Sequence, residues 1–120
     1  MKSIRYLSPF LLLIILLLSA CTSNKQNIDK DTFKEGTDIV LDINKAELKN
    51  KMYDGFNNHK DFFNRVTKLD EKDEKFKDVV SEYFYNEINY IGKNSDMEQA
   101  KIDMDKAKRT LKNEYGINIK

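Results

Sequence analysis

The chain has 120 residues and a net charge of +1, with 21 lysine and arginine side chains against 20 aspartate and glutamate side chains. Because the two signs alternate along the chain, it lacks the one-signed cluster that a nucleic-acid surface needs, and we expect no nucleic-acid partner. A single cysteine excludes an internal disulfide, and a single histidine leaves too few ligands for a clustered metal site.

The first twenty residues have the composition of a secretory signal. Lys2 and Arg5 precede an unbroken apolar run over residues 10–18. This run is only about half of the roughly 20 residues that a membrane-spanning helix needs. A basic head, a short apolar middle and a small-residue exit predict a signal peptide over residues 1–20 that is removed.

The signal ends at the only cysteine of the chain. Leu18-Ser19-Ala20-Cys21 resembles the lipobox of bacterial lipoproteins. The resemblance implies that a signal peptidase recognises Leu18, Ser19 and Ala20 and cuts before Cys21, which carries S-diacylglyceryl and N-acyl groups. An ordinary signal peptide would leave an unpaired thiol, which is unusual in a secreted protein. We therefore expect a covalent anchor in membrane lipid.

The expected location is the extracytoplasmic face of the cell membrane. Lysine, asparagine and isoleucine are abundant while arginine is scarce, a bias typical of an AT-rich genome. This bias favours a monoderm bacterium, in which such lipoproteins are anchored to the outer face of the cytoplasmic membrane.

Residues 21–36 are predicted to form a flexible tether, because after Cys21 they are polar and show no periodic apolar positions. A helical domain is predicted over residues 37–120. The start of this domain allows two interpretations. Ile39, Leu41 and Ile43 alternate as in a strand, whereas the same stretch also fits one face of a helix.

Three helices are predicted in the remainder of the chain. Asn44-Lys-Ala-Glu47 has the form of a capping box and predicts a helix of about 25 residues. A second apolar stripe starts at Phe76 and ends at Gly92. Ser95-Asp-Met-Glu98 is a further capping box, and the helix that it begins is closed by Gly116.

The short connections between these helices predict antiparallel neighbours. The expected fold class is therefore all-α: a small antiparallel three-helix bundle on a flexible lipid-anchored tether. Residues 37–43 form an optional fourth short element at its amino end.

Two polar residues interrupt the predicted apolar faces. His59 and Glu87 each lie near the centre of a helical stripe, and antiparallel pairing brings them within about one turn of each other. One interpretation is a buried His59–Glu87 contact that makes stability depend on pH. The more ordinary alternative, which we prefer, is a core histidine bonded to a tyrosine, with Glu87 at the rim.

The second stripe also predicts an exposed face. Tyr85 points almost opposite the apolar positions, with Asn86 beside it and Asn89 one turn further on. Tyrosine with asparagine is a composition that binding surfaces use. Single exposed tyrosines are also common on surfaces without a function. The three residues are a candidate partner surface.

The sequence shows no nucleophile motif, glycine-rich phosphate loop or metal-ligand spacing, so we expect a protein that is not an enzyme and uses no cofactor, metal or small-molecule substrate.

In lipobox, length and helical content the chain is similar to small exclusion and immunity lipoproteins of mobile elements. This resemblance implies exclusion of redundant conjugative transfer, through contact with an envelope protein of the transfer machinery. Bacteriocin immunity and phage superinfection exclusion are alternatives. A structural or assembly accessory of an envelope or secretion complex is an alternative of a different class.

Overall fold

The computed structural model describes residues 27–64, 70–94 and 96–120. These residues form four α-helices, which are α1 (Lys30–Leu48), α2 (Lys60–Phe63), α3 (Glu71–Gly92) and α4 (Met97–Asn113), with a 3-10 turn at Phe56–His59. The described part of the chain contains no strand, which confirms an all-α small helical bundle. It also contains no helix long and apolar enough to cross a membrane. The predicted signal peptide and Cys21 lie outside the described residues.

Helix α1 begins earlier than the sequence pattern predicts. The Asp29 carboxylate accepts hydrogen bonds from the backbone N–H of Thr32 at 3.0 Å and from its hydroxyl at 3.1 Å, which caps the helix. The predicted tether is therefore wrong over residues 30–36, which are helical. The ambiguous residues 37–43 are helical as well.

Helix α1 also ends where the sequence predicts a helix to continue. Asn50 adopts a left-handed φ of 55°, and the N–H groups of Lys49 and Lys51 both donate to the Ala46 carbonyl, at 3.1 and 2.9 Å. Asn44 lies buried inside α1 rather than capping a new helix. The predicted helix of about 25 residues is thus wrong.

The long helices α1 and α3 run parallel to each other. Near their amino ends the backbone N–H of Asp29 donates to Asp73 Oδ1 at 3.0 Å. Towards their carboxyl ends the Tyr83 hydroxyl donates to Glu47 Oε1 at 2.7 Å. Two consecutive helices that run parallel need a connection that leads the chain back to the starting end. Residues 49–70 make this connection and are called the return segment.

The return segment and α4 both run antiparallel to α3. Tyr53 lies near the carboxyl end of α3, where its ring packs edge-on against Phe84, and Phe62 packs further back against Phe76. Tyr115, just after α4, also packs on Phe76, with ring centroids 5.0 Å apart. The predicted antiparallel order therefore holds on both sides of α3, although most of the return segment is not α-helical.

A fully buried core lies between α1, α3, α4 and the C-terminal residues. Its aliphatic and aromatic members are Ile39, Val40, Ile43, Phe62, Phe76, Val80, Tyr83, Phe84, Ala100, Met104, Ala107 and Leu111. Gly116, with a left-handed φ of 68°, redirects the chain after α4 as the sequence predicts. The next residues alternate in burial, with Ile117 and Ile119 buried, and the Ile119 N–H donates to the Ile117 carbonyl at 2.9 Å, so this segment covers the core through a tight turn.

Gly36 allows α1 to approach α3 closely. A Cβ atom at this position would stand 2.6 Å from Phe76 Cζ and 3.0 Å from Phe62 Cζ. Phe76 is fully buried and has no space to retreat. The absence of a side chain at residue 36 is therefore a packing requirement.

We expect Gly36→Ala to lower the free energy of unfolding by about 1 to 3 kcal/mol, because overpacking outweighs the gain of about 1 kcal/mol in helix propensity. Urea unfolding followed by circular dichroism measures the change. Phe76→Leu in the same chain should recover part of the loss. Gly92→Ala is the matched control, since its Cβ would meet only the exposed Met52 side chain and Asn94. Equal effects at both glycines would contradict the packing argument.

Candidate binding surface and its buried polar support

Tyr85 lies on the outer face of α3 and is 57% exposed, as the sequence predicts. The Asn86 amide is less available, because its Nδ2 donates to the Glu82 carbonyl at 2.8 Å. Asn89 is half-buried, and its carbonyl accepts the N–H groups that close the helix. Of the three predicted surface residues, Tyr85 therefore offers most to a partner.

The Tyr85 ring rests on a rigid aromatic base. Its centroid is 5.2 Å from that of Phe84, which is itself buried. Phe84 in turn packs against Phe56 and Phe63 of the return segment, at 5.6 and 4.9 Å. A side chain held on such a base loses little conformational entropy when it is covered by a partner.

Further exposed apolar side chains lie where α1 and α3 end. Leu48 is 63% exposed and Met52 is 50% exposed. Met52 lies beside Gly92, since a Cβ on that glycine would stand 2.8 Å from the Met52 sulfur. The predicted helix of about 25 residues from Asn44 would include Leu48 and Met52, but α1 ends at Leu48.

Glu87 is fully buried, and its partner is the backbone of the return segment. Both carboxylate oxygens accept from the N–H of Tyr53, at 3.2 and 3.0 Å. The predicted contact with His59 is therefore replaced by one with Tyr53, and the alternative position at the rim is wrong. The physical reason is the early end of α1, which shifts the register of the return segment along α3.

Burial raises the pKa of Glu87 to about 7. The Tyr53 N–H acts in the opposite direction because it stabilises the carboxylate, and the nearby charge of Glu47 raises the pKa further. Glu87 therefore changes its charge near neutral pH inside the core.

A second carboxylate, the half-buried Glu47, joins the three long helices. Tyr83 of α3 donates to its Oε1 at 2.7 Å, and Lys108 Nζ of α4 lies 2.9 Å from its Oε2. Asn44 of α1 extends the network, since its Nδ2 lies 3.4 Å from the Tyr83 hydroxyl. Burial, followed by the bond to Glu47, raises the pKa of Tyr83, so its hydroxyl stays a donor.

Sequence reasoning missed this network. In the sequence, Glu47 completes the capping box that begins at Asn44, and Tyr83 lies within the apolar stripe that starts at Phe76. The available signal was the polar end of Tyr83 itself, because a tyrosine hydroxyl at a core position usually needs a partner.

His59 lies at a cleft of about 300 Å³ between the end of α1 and the 3-10 turn, with Tyr53, Asp42 and Lys45 also in its wall. Its Nδ1 is 3.9 Å from Glu35 Oε2, an ion-pair distance when the imidazole is protonated. Among the residues that the structure describes, neither His59 Nδ1 nor the Tyr53 hydroxyl has a hydrogen-bond partner. The alternative of a histidine bonded to a tyrosine is therefore not formed.

Within the described residues, no group of three or more histidine, cysteine, aspartate or glutamate side chains is placed to hold a metal ion. Comparison with known proteins gives no relative, since no family model, curated protein or solved structure matches the chain. The function is therefore inferred from the residues of this chain.

We expect the protein to lose stability as pH rises from about 4.5 through 7, because the unfolded chain releases the Glu87 proton at its ordinary pKa and the folded chain holds it. The loss is at most about 1.4 kcal/mol for each pH unit between the two pKa values. Glu87→Gln keeps an acceptor for the Tyr53 N–H and should remove this slope. Urea unfolding at pH 5 and pH 8 measures it.

The control is Glu82→Gln, which removes one exposed charge from the same helix. This variant should keep the pH dependence of the parent chain. A pH slope in Glu87→Gln equal to that of the parent would contradict a raised Glu87 pKa.

Proposed function

We propose that this protein is a lipid-anchored binding protein of a bacterial envelope, and that it acts without catalysis. The observation that carries the proposal is the sequence Leu18-Ser19-Ala20-Cys21 after a short apolar segment with a basic head. Two acyl chains on Cys21 would hold the chain at the membrane almost permanently, whereas one chain alone binds only marginally.

The start of α1 supports a short distance between anchor and bundle. Residues 22–29 are all that separate Cys21 from the helix that begins at Lys30, and they span no more than roughly 30 Å when fully extended. Helix α1 then covers about 28 Å from Lys30 to Leu48. The amino end of α1 is thus the part of the bundle nearest to the anchor along the chain, and Leu48 and Met52 follow at the other end of that helix.

The surface that we assign to partner binding is centred on Tyr85. An exposed tyrosine on a rigid base supplies contact area at low entropic cost. A tethered bundle meets a membrane protein at a high effective concentration, so modest contact area suffices. We propose exclusion as the biological role, in which the bundle blocks an envelope protein of an incoming transfer machinery.

Replacing Cys21 with alanine should release the protein from the membrane or leave it unprocessed, because the lipidated residue is then absent. Membrane fractionation and metabolic labelling with a palmitate analogue measure both effects. The chain has no other cysteine, so an acyl label retained in the variant would contradict lipidation at this residue.

Tyr85→Ala should weaken partner capture while changing the free energy of unfolding by no more than about 0.5 kcal/mol, as is usual for an exposed position. Site-specific photo-crosslinking from position 85 in the native membrane identifies the partner. Ile102→Ala is the control, since Ile102 is a similarly exposed apolar side chain on α4, at 53%. A large loss of thermal stability in Tyr85→Ala would instead make Tyr85 a core residue.

The identity of the captured protein separates the two classes of function. Capture of a conjugation or phage-entry protein supports exclusion, and a bacteriocin or its receptor supports immunity. A resident secretion or wall-synthesis protein would overturn exclusion in favour of an assembly accessory. Deletion gives an independent readout, because an accessory predicts a growth or assembly defect without any challenge.

A further inference from the structure

A groove of about 260 Å³ lies between α4 and the C-terminal segment that follows Gly116. It is lined by Asp105, Lys108, Arg109, Lys112, Ile119 and Lys120. Four of these residues are basic and one is acidic, although the whole chain is nearly balanced at 21 basic against 20 acidic residues. The four lining residues that belong to α4 are spaced three, one and three positions apart, which places them on one face of the helix. They are Asp105, Lys108, Arg109 and Lys112.

Two of the charges in the groove already have partners. Lys108 Nζ is 2.9 Å from Glu47 Oε2, and Asp105 Oδ2 is 3.5 Å from Lys101 Nζ. The side chains of Arg109, Lys112 and Lys120 are exposed, and no carboxylate of the described residues lies at ion-pair distance from any of them. Arg109 and Lys112 therefore present two positive charges, without an ion-pair partner in the described part of the chain, to one concave space, next to the side chain of Lys120.

The C-terminal side of the groove is held in place by Asn44. Its Nδ2 donates to the main-chain oxygen of Lys120, and its Oδ1 accepts the Lys120 N–H, both at 3.0 Å. This pair of bonds fixes the backbone of residue 120 and leaves its side chain to the groove. Ile119 is buried beside it and forms an apolar floor.

We propose that this groove binds a phosphate group. Arginine presents a planar fork of donors that matches phosphate oxygens, and two lysine ammonium groups add charge for a multiply charged anion. The volume equals that of roughly nine water molecules in the liquid, which is more than a single small ion occupies. The α4 macrodipole alone favours a cation at Lys112, but it does not account for Lys120, which lies outside the helix.

The phosphate has two chemical sources: a soluble phosphorylated compound and the headgroup of an anionic lipid. The inference does not depend on partner binding at Tyr85, which lies on α3. It also stands without the lipid anchor, because the soluble source needs no membrane.

The soluble source is tested by calorimetric titration of inorganic pyrophosphate into the full-length protein in neutral detergent micelles. We expect saturable binding that the double variant Arg109→Gln/Lys112→Gln weakens at least about tenfold. Lys93→Gln/Lys106→Gln removes the same charge from exposed positions outside the groove and should bind as the parent does. Arg109→Lys keeps the charge without the fork and should give an intermediate affinity.

The lipid source is tested with the lipid-anchored protein in nanodiscs of phosphatidylcholine, with and without phosphatidylglycerol. Hydrogen exchange of residues 114–120 should slow when phosphatidylglycerol is present, and this protection should be absent in Arg109→Gln/Lys112→Gln. Pyrophosphate binding without this protection assigns the groove to a soluble ligand, and protection without pyrophosphate binding assigns it to lipid. The proposal would be overturned if neither pyrophosphate binding nor this protection were observed, or if both double variants lost binding equally.

Discussion

The packing of this bundle depends on a carboxylate placed between its three long helices. Glu47 is mostly removed from water, with its side chain 15% exposed, and an unpaired charge there would cost several kcal/mol. Tyr83 and Lys108 each supply one donor, from α3 and α4. The network specifies how three helices meet, because only one relative position brings both donors to the same carboxylate.

The same core contains a second carboxylate with a weaker set of partners. Glu87 has the Tyr53 N–H as its hydrogen-bond donor, whereas Glu47 has a lysine ammonium and a hydroxyl. With only one donor among the described residues to stabilise its charged form, Glu87 has a pKa that burial raises, and the negative charge on Glu47 raises it further. One carboxylate thus fixes the packing, and the other makes it respond to protons.

The sequence predicts the helical class and several boundaries for sound physical reasons. Gly116 closes α4 because the chain needs a left-handed residue there, and Tyr85 is exposed because it lies opposite the apolar stripe of α3. Besides residues 30–36, which lack periodic apolar positions but are helical, the misassigned region is residues 44–63, where apolar spacing of three and four residues is typical of a helix. In the fold, Asn50 ends α1, and Phe56 packs on Phe84 from a 3-10 turn. Local periodicity cannot show that tertiary contacts outweigh a helical continuation.

The bonds between Asn44 and Lys120 join residues that are 76 positions apart in the chain. A chain that emerges amino end first, at about 5 to 20 residues per second, needs roughly 4 to 15 s to pass from one to the other. During that interval α1 can form, but the segment after Gly116 that covers part of the core is absent. The contact therefore sets an order: α3 can pack on α1 as soon as both have been synthesised, whereas Asn44 gains its Lys120 partners only after all of α4 has been added.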